Sequence, residues 1–172
     1  MEIGRLSLWL QPEPPAADRL DALIARLAAV HATAAFVSHL TVLADLGRQP
    51  DDDVLAGLTR LAESLEPVRV SFGETRCEHP WHRSLYLAAV PGPALRQVFQ
   101  TARRTFEVPG DPVFEPHLSL QYSQLPVADK FRLAAGAGLR LPLTVRFDRI
   151  SLWQTAGPDA RRWRLVAERR LG

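Results

Sequence analysis

An eight-residue phrase occurs twice in this chain, and it limits the possible folds more than any other feature. FVSHLTVL runs from Phe36 to Leu43 and FEPHLSLQ from Phe114 to Gln121; both read Phe-x-x-His-Leu-[Thr/Ser]-apolar. The flanks extend the match. Ser7-Leu-Trp9-Leu precedes the first copy and Ser84-Leu-Tyr86-Leu the second, and each run soon meets a proline pair, Pro12/Pro14 or Pro91/Pro93. His39 lies 32 positions after Ser7, and His117 lies 33 after Ser84. Flanks this similar identify two copies of one supersecondary unit, covering residues from about 3 to 46 and from about 82 to 123.

The unit can be typed from its periodicity. After the first proline turn, apolar residues fall at Leu20, Leu23, Ile24, Leu27 and Val30, a helical stripe; in the second copy they are Leu95, Val98, Phe99, Ala102 and Phe106. The SLWL, SLYL and histidine-containing segments are short, apolar or alternating, and bounded by turn formers, so they predict strands. Each copy is therefore strand–helix–strand with the motif on its second strand. A helix follows each motif: one has acidic Asp51–Asp53 at its start and an apolar face of Leu55, Leu58, Leu61, Ala62 and Leu65. The other runs from Val127 to about Ala134, before Gly136 and Gly138. A strand at about 67–76 is expected to close the first half, and strands at about 140–154 and 161–169 the second. No low-complexity linker separates the halves. The expected architecture is α+β: one bilobal domain over residues 1–172, with two antiparallel sheets in pseudo-twofold relation around a central groove and helices outside.

Composition narrows the setting. The net charge is +2, carried almost wholly by arginine, with Lys130 the sole lysine. Arginine suits phosphate recognition through planar, multi-donor contacts, although a coding bias toward Ala, Leu, Pro and Arg produces the same excess. The single cysteine, Cys77, cannot form an intramolecular disulfide, which points to a reducing compartment. Residues 1–15 lack the basic start and apolar run of a secretory signal, and no window holds ~18 consecutive apolar residues. The expectation is a cytoplasmic protein, monomeric, without a membrane partner.

Side chains on a strand alternate faces. His39 and Thr41 therefore share one side, with Leu40 and Val42 on the other; His117 and Ser119 share a side opposite Leu118 and Leu120. A twofold operation sets the two polar pairs across a cleft. Two imidazoles so placed can accept a proton from water and give one to a leaving oxygen, and in-line displacement at phosphorus needs those groups on opposite sides. The Thr41 and Ser119 hydroxyls can donate to the non-bridging phosphate oxygens. No metal, cofactor or covalent intermediate is required. A lone His-x-[Ser/Thr] tripeptide would signify only a satisfied core histidine; duplication in matching settings is what gives this pair its chemical meaning.

Paired His-x-[Thr/Ser]-apolar motifs about eighty residues apart resemble the 2H phosphoesterase superfamily, and the SLWLQP opening with FVSHLTVL and FEPHLSLQY resembles its cyclic phosphodiesterases of plant and fungal type. The resemblance spans residues from about 3 to 155. It implies His39 and His117 as the acid–base pair, with His117 as base and His39 as acid, and Thr41 and Ser119 as phosphate donors. It implies hydrolysis of ADP-ribose 1″,2″-cyclic phosphate or nucleoside 2′,3′-cyclic phosphates. Two alternatives remain: a 2′,3′-cyclic phosphodiesterase for RNA 3′ ends, related to the 2′-5′ RNA ligases, and a non-catalytic nucleotide-binding module. The resemblance also implies Trp9 beside the sugar or base and Tyr122 near the substrate, although strict alternation turns Tyr122 away from His117 unless a bulge or strand end intervenes.

Two further segments have bland readings. Cys77-x-His79-x-x-His82 matches no usual zinc spacing and reads as a loop or flap near the groove, with Trp81 and Arg83 beside the substrate only as weaker candidates. RRWRLVAERR, residues 161–170, reads as an edge strand with solvent-facing charges rather than as an RNA patch.

Overall fold

The computed structural model describes residues 5–79, 81–110 and 113–172, with His82 described by its backbone alone. Residues 3 and 4 of the first predicted unit, 111 and 112 of the second, and Pro80 in the loop between them lie outside the described residues.

The elements follow the predicted order. β1 (Arg5–Pro12) leads to α1 (Pro14–Val30), β2 (Leu40–Leu43), α2 (Asp52–Glu63) and β3 (Val68–Cys77). The second round is β4 (Leu85–Val90), α3 (Pro93–Thr105), β5 (His117–Gln121), α4 (Val127–Gly136) and β6 (Leu143–Thr155), and β7 (Arg164–Arg170) ends the chain. Pro14 and Pro93 start α1 and α3, where a missing N–H costs nothing. Asp51 caps α2, its carboxylate accepting from Val54 N at 2.8 Å, with Asp52 and Asp53 in the first turn. The α1 stripe is buried except at its last member: Val30 is 60% exposed, because the helix ends there, and Ala28 is buried instead. The final strand begins later than expected, since residues 160–162 form a 3-10 turn before β7.

The two rounds are equivalent in register as well as in order. Trp9 pairs with Thr41 and Leu10 with Leu40; Tyr86 pairs with Ser119 and Leu87 with Leu118. A bulge falls at Leu8/Trp9 in one and at Leu85/Tyr86 in the other. The duplicated sequence has produced duplicated hydrogen bonding.

The closing strands depart from expectation. β3 pairs with β4, not with the first unit, and β6 pairs with β1. Each three-stranded group, β2-β1-β6 or β5-β4-β3, thus takes its third strand from the other round. The groups join edge to edge through β2–β5 and through β3–β6, so the two expected sheets form one continuous antiparallel ring with β7 attached outside β6. The helices cross over too: α1 packs on β5 and α3 on β2. Gln121 Nε2 donates to Leu27 O at 3.0 Å, tying β5 to the end of α1. The physical reason lies in edges. After β2, the free edge of β1 lies on the far side of the sheet, and α2 carries the chain past it to the edge of β4.

Leu6, Leu8, Leu10, Leu40, Leu85, Leu87 and Leu118 are fully buried on the ring's helix-covered face. Gly57 of α2 faces the end of α3, where an added Cβ would sit 3.2 Å from Phe106 Cε1. β7 lies at the sheet's margin with Arg164, Arg169 and Arg170 exposed, as the edge-strand reading expects. Among the described residues no helix is long and apolar enough to cross a membrane.

Exchange of third strands makes neither half a folding unit. Fragments cut between β3 and β4 are each expected to lack cooperative unfolding and dispersed amide signals, and to recover both on mixing. Independent folding of either fragment, measured by circular dichroism and NMR, would contradict the exchanged topology.

Candidate active site

The motif strands meet at one antiparallel pair, Leu40 with Leu118. Carried one residue either way, that register sets His39 opposite Ser119 and Thr41 opposite His117. The leucines face the core, so alternation turns all four motif side chains to the inner face of the ring. Thr41 and His117 line one cavity of about 460 Å³ together with Arg83 and Glu115. The two histidines are close enough that the charge of His117 disfavours protonation of His39.

Both rings are held alike. His39 Nδ1 lies 2.7 Å from Val37 O and His117 Nδ1 lies 3.0 Å from Glu115 O, each two residues back in the chain. A carbonyl oxygen only accepts, so both Nδ1 atoms carry the hydrogen of the neutral ring. Proton exchange is thereby assigned to Nε2 in both.

Their surroundings differ. His39 is 3% exposed and stacked on Trp9, with ring centroids 3.6 Å apart and planes 11° from parallel. Phe36 and Trp163 meet its ring edge-on at 5.9 and 6.4 Å, and Trp153 stacks on the far side of the group against Trp9 at 4.8 Å. Burial in this aromatic box pushes the imidazole down to about 4, with the His117 charge acting in the same direction and the Val37 hydrogen bond opposing. His39 is neutral near pH 7.

His117 instead has charged and polar neighbours. Tyr86 meets its ring edge-on at 5.0 Å, and the Tyr86 hydroxyl hydrogen-bonds Glu78. Arg83 donates to that hydroxyl at 3.0 Å, and pairs with Glu78 at 2.8 Å and Glu115 at 2.5 Å. The loop between β3 and β4 is further closed by Glu78 N donating to Arg83 O at 3.1 Å. Lys130, 1% exposed, reaches from α4 to donate to Glu78 O at 2.8 Å. These bonds make the segment a pinned wall of the groove. His82 contributes only backbone to this description, and among the described residues no three metal-ligating side chains cluster.

The two secondary candidates, Trp9 and Tyr122, lie beside this face. Trp9 stands opposite Thr41 across β1 and β2. Tyr122 follows the last residue of β5, so a strand end resolves the alternation problem. Burial pushes its hydroxyl up to about 12, with the neighbouring Ser119 side chain acting in the opposite direction. Trp153 and Trp163 were not singled out. Trp153 had a signal, since Ser151-Leu-Trp153 is a further Ser-Leu-Trp run and pairs with β1, Ser151 opposite Trp9. The charges of Glu78 and Glu115 had none.

Residues 11–159 match the family described as the 2′-5′ RNA ligase superfamily. Among solved structures, E. coli LigT complexed with ATP is 17% identical, with a TM-score of 0.60 and 99% of each chain covered. A protein described as a phosphoesterase is 16% identical at a TM-score of 0.62, again over 99% of each chain. The protein TT0787 of Thermus thermophilus is 18% identical at 0.62 over 97% of each chain. At these identities the likeness establishes the α+β fold. No curated protein matches the chain.

The depressed His39 pKa couples stability to pH. An unfolded imidazole titrates near ~6.5, so between that value and about 4 the unfolded chain binds more protons. Wild-type stability should fall as pH drops from 7 to 4, by about 3 kcal/mol from this group. Urea denaturation across that range should show a weaker fall in His39→Gln; equal slopes would remove the assignment.

Proposed function

Because the chain belongs to the 2′-5′ RNA ligase superfamily, the two-histidine phosphoesterases, we propose that it hydrolyses a cyclic phosphate of a nucleotide-derived substrate by histidine acid–base catalysis without a metal. The observation that supports this most directly is the shared inner face of His39, Thr41, His117 and Ser119 about the Leu40–Leu118 pair. One imidazole takes a proton from water as its oxygen bonds to phosphorus. The ring P–O bond opposite breaks, and the second imidazole protonates the departing ribose oxygen. The product is a phosphomonoester, and the two protons balance. Thr41 and Ser119 donate to the non-bridging oxygens, where charge accumulates. The narrower placement among cyclic phosphodiesterases of plant and fungal type rests on the flanks of the motifs alone.

The surroundings of the two rings support His39 as base and His117 as acid, the reverse of the order the resemblance implies. A base must begin neutral, and the aromatic box keeps His39 so; His117, half-buried beside the Arg83 and Glu115 charges, is left the part of the acid. With His39 as base, the acidic limb of kcat/KM lies near 4. With His39 as acid, kcat/KM instead declines as pH rises above that value.

A second reading, hydrolysis of RNA 3′ ends bearing a cyclic phosphate, is favoured by Arg162 and Arg164. Both are exposed on either side of Trp163, whose ring meets His39. Steeply falling activity with salt on an oligonucleotide, against weak salt dependence on a mononucleotide, would select it.

His39→Ala and His117→Ala are each expected to lose roughly 10²–10⁴-fold in kcat with EDTA present, and Thr41→Ala and Ser119→Ala less. Losses under about tenfold at both histidines, or loss of wild-type activity on chelation, would refute the scheme.

A further inference from the structure

The two motif histidines are held by the same hydrogen bond, yet the chain leading to each is fastened differently. Before His39, Ser38 N donates to Asp21 of α1 at 2.6 Å, fixing the backbone beside the Val37 carbonyl that holds the ring. The equivalent residue before His117 is Pro116, which has no N–H to give. Glu115, whose carbonyl holds the His117 ring, lies in an irregular stretch between α3 and β5 where Val113 is 85% exposed. Phe114 stacks on Phe99, and Pro116 O accepts from Ala89 N at 3.1 Å, so the stretch is tethered on both sides of Glu115. At Glu115 itself the tether is Arg83. We infer that Arg83 is a positioning residue for His117, taking in the second round the part that Asp21 takes in the first. The inference rests on the proposed reaction only for the use made of the ring's orientation.

Arg83 reaches both supports of the ring at once. Its Nη1 donates to the Glu115 carboxylate at 2.5 Å, and its Nη2 to the Tyr86 hydroxyl at 3.0 Å and to Glu78 at 2.8 Å. Tyr86 in turn packs edge-on against the His117 ring at 5.0 Å and pairs with Ser119 across β4 and β5. An ion pair with an exposed carboxylate contributes little by itself. Here the guanidinium is mostly buried and its planar fork is fixed by two further acceptors, so Glu115 is bound to an anchor already in place. The Arg83 hydrogen bond and charge hold the Glu115 carboxyl below the usual carboxylate range, so the pair stays ionised at neutral pH.

Arg83 lines the same cavity as Thr41 and His117, a position that would also suit direct contact with phosphate. Its commitments decide against that role. Both terminal nitrogens already hold protein oxygens, two carboxylates offset the charge, and Nε is buried without a partner. What the clamp controls is an angle. A ring that loses its Nδ1 acceptor can turn about Cβ–Cγ, and Nε2 then no longer points at the departing oxygen. Misplacement of a reacting group by about 1 Å costs on the order of 10²-fold in rate.

Arg83→Ala is expected to lose roughly 10–100-fold in kcat on adenosine 2′,3′-cyclic phosphate, with KM within about threefold of wild type. A side chain that bound phosphate in the ground state would move KM instead. Arg83→Lys, which keeps the charge but not the fork, should fall between wild type and Arg83→Ala. Glu115→Ala, a change at an exposed side chain that retains the carbonyl, should lose kcat as well. The double variant should then lose no more than Arg83→Ala alone, since the two act as one unit. Long-range proton–nitrogen NMR at about pH 9, where imidazole is neutral, should show His117 as the Nδ1–H tautomer in wild type and as a mixture in Arg83→Ala. A loss confined to KM, additive losses in the double variant, or an unchanged His117 tautomer would overturn the assignment. If the wild type turns over no cyclic phosphate, the proposed reaction fails, and the tautomer comparison alone decides the positioning role.

Discussion

The groove depends on the pairing of Leu40 with Leu118, the backbone pair that joins the two motif strands. Both leucines are fully buried against the helices, each contributing about 1.5–3 kcal/mol of burial. Because strand side chains alternate, that burial commits their neighbours on either side to the opposite face. A one-residue slip would expose the leucines and drive four polar groups into the core, so the geometry of the polar face is enforced from behind. The histidines contribute little to their own placement beyond one hydrogen bond each.

Duplication sets up symmetry, and the surroundings then break it. Trp9 and Tyr86 occupy equivalent positions, opposite Thr41 and Ser119 respectively. Trp9 lies flat on His39 and, with Trp163 and Phe36, keeps water from it. Tyr86 meets His117 edge-on and uses its hydroxyl to join Arg83 and Glu78. One imidazole is therefore desolvated and the other stands near a network of charges. Identical groups thus stand in unlike surroundings, and burial alone already lowers the proton affinity of His39.

The motifs, both helical stripes and the α+β class were legible because each rests on local periodicity. His39-Leu40-Thr41 and His117-Leu118-Ser119 could be placed on strands and assigned faces from alternation alone. The exchange of β3 and β6 was not legible. Which edge a strand joins is decided by hydrogen-bonding vacancies far away in sequence, and Val68–Cys77 reads the same whichever neighbour it finds. Tyr122 was legible by its spacing from His117 but not by its facing, since the end of β5 is a tertiary outcome. The Glu78–Arg83–Glu115 network was hidden for a different reason: charged residues near a loop usually face solvent, and nothing local distinguishes those that pair with one another.

The exchanged strands also carry a history. A half-length chain containing one round of the repeat would leave two sheet edges open and an apolar helix face uncovered. A second copy, giving its third strand and taking one in return, would close the same ring as a swapped homodimer. Joining the copies in tandem turns that concentration-dependent assembly into an intramolecular one. It also frees the two sites from remaining identical, which a homodimer could never allow, and the unlike environments of His39 and His117 are what that freedom permits.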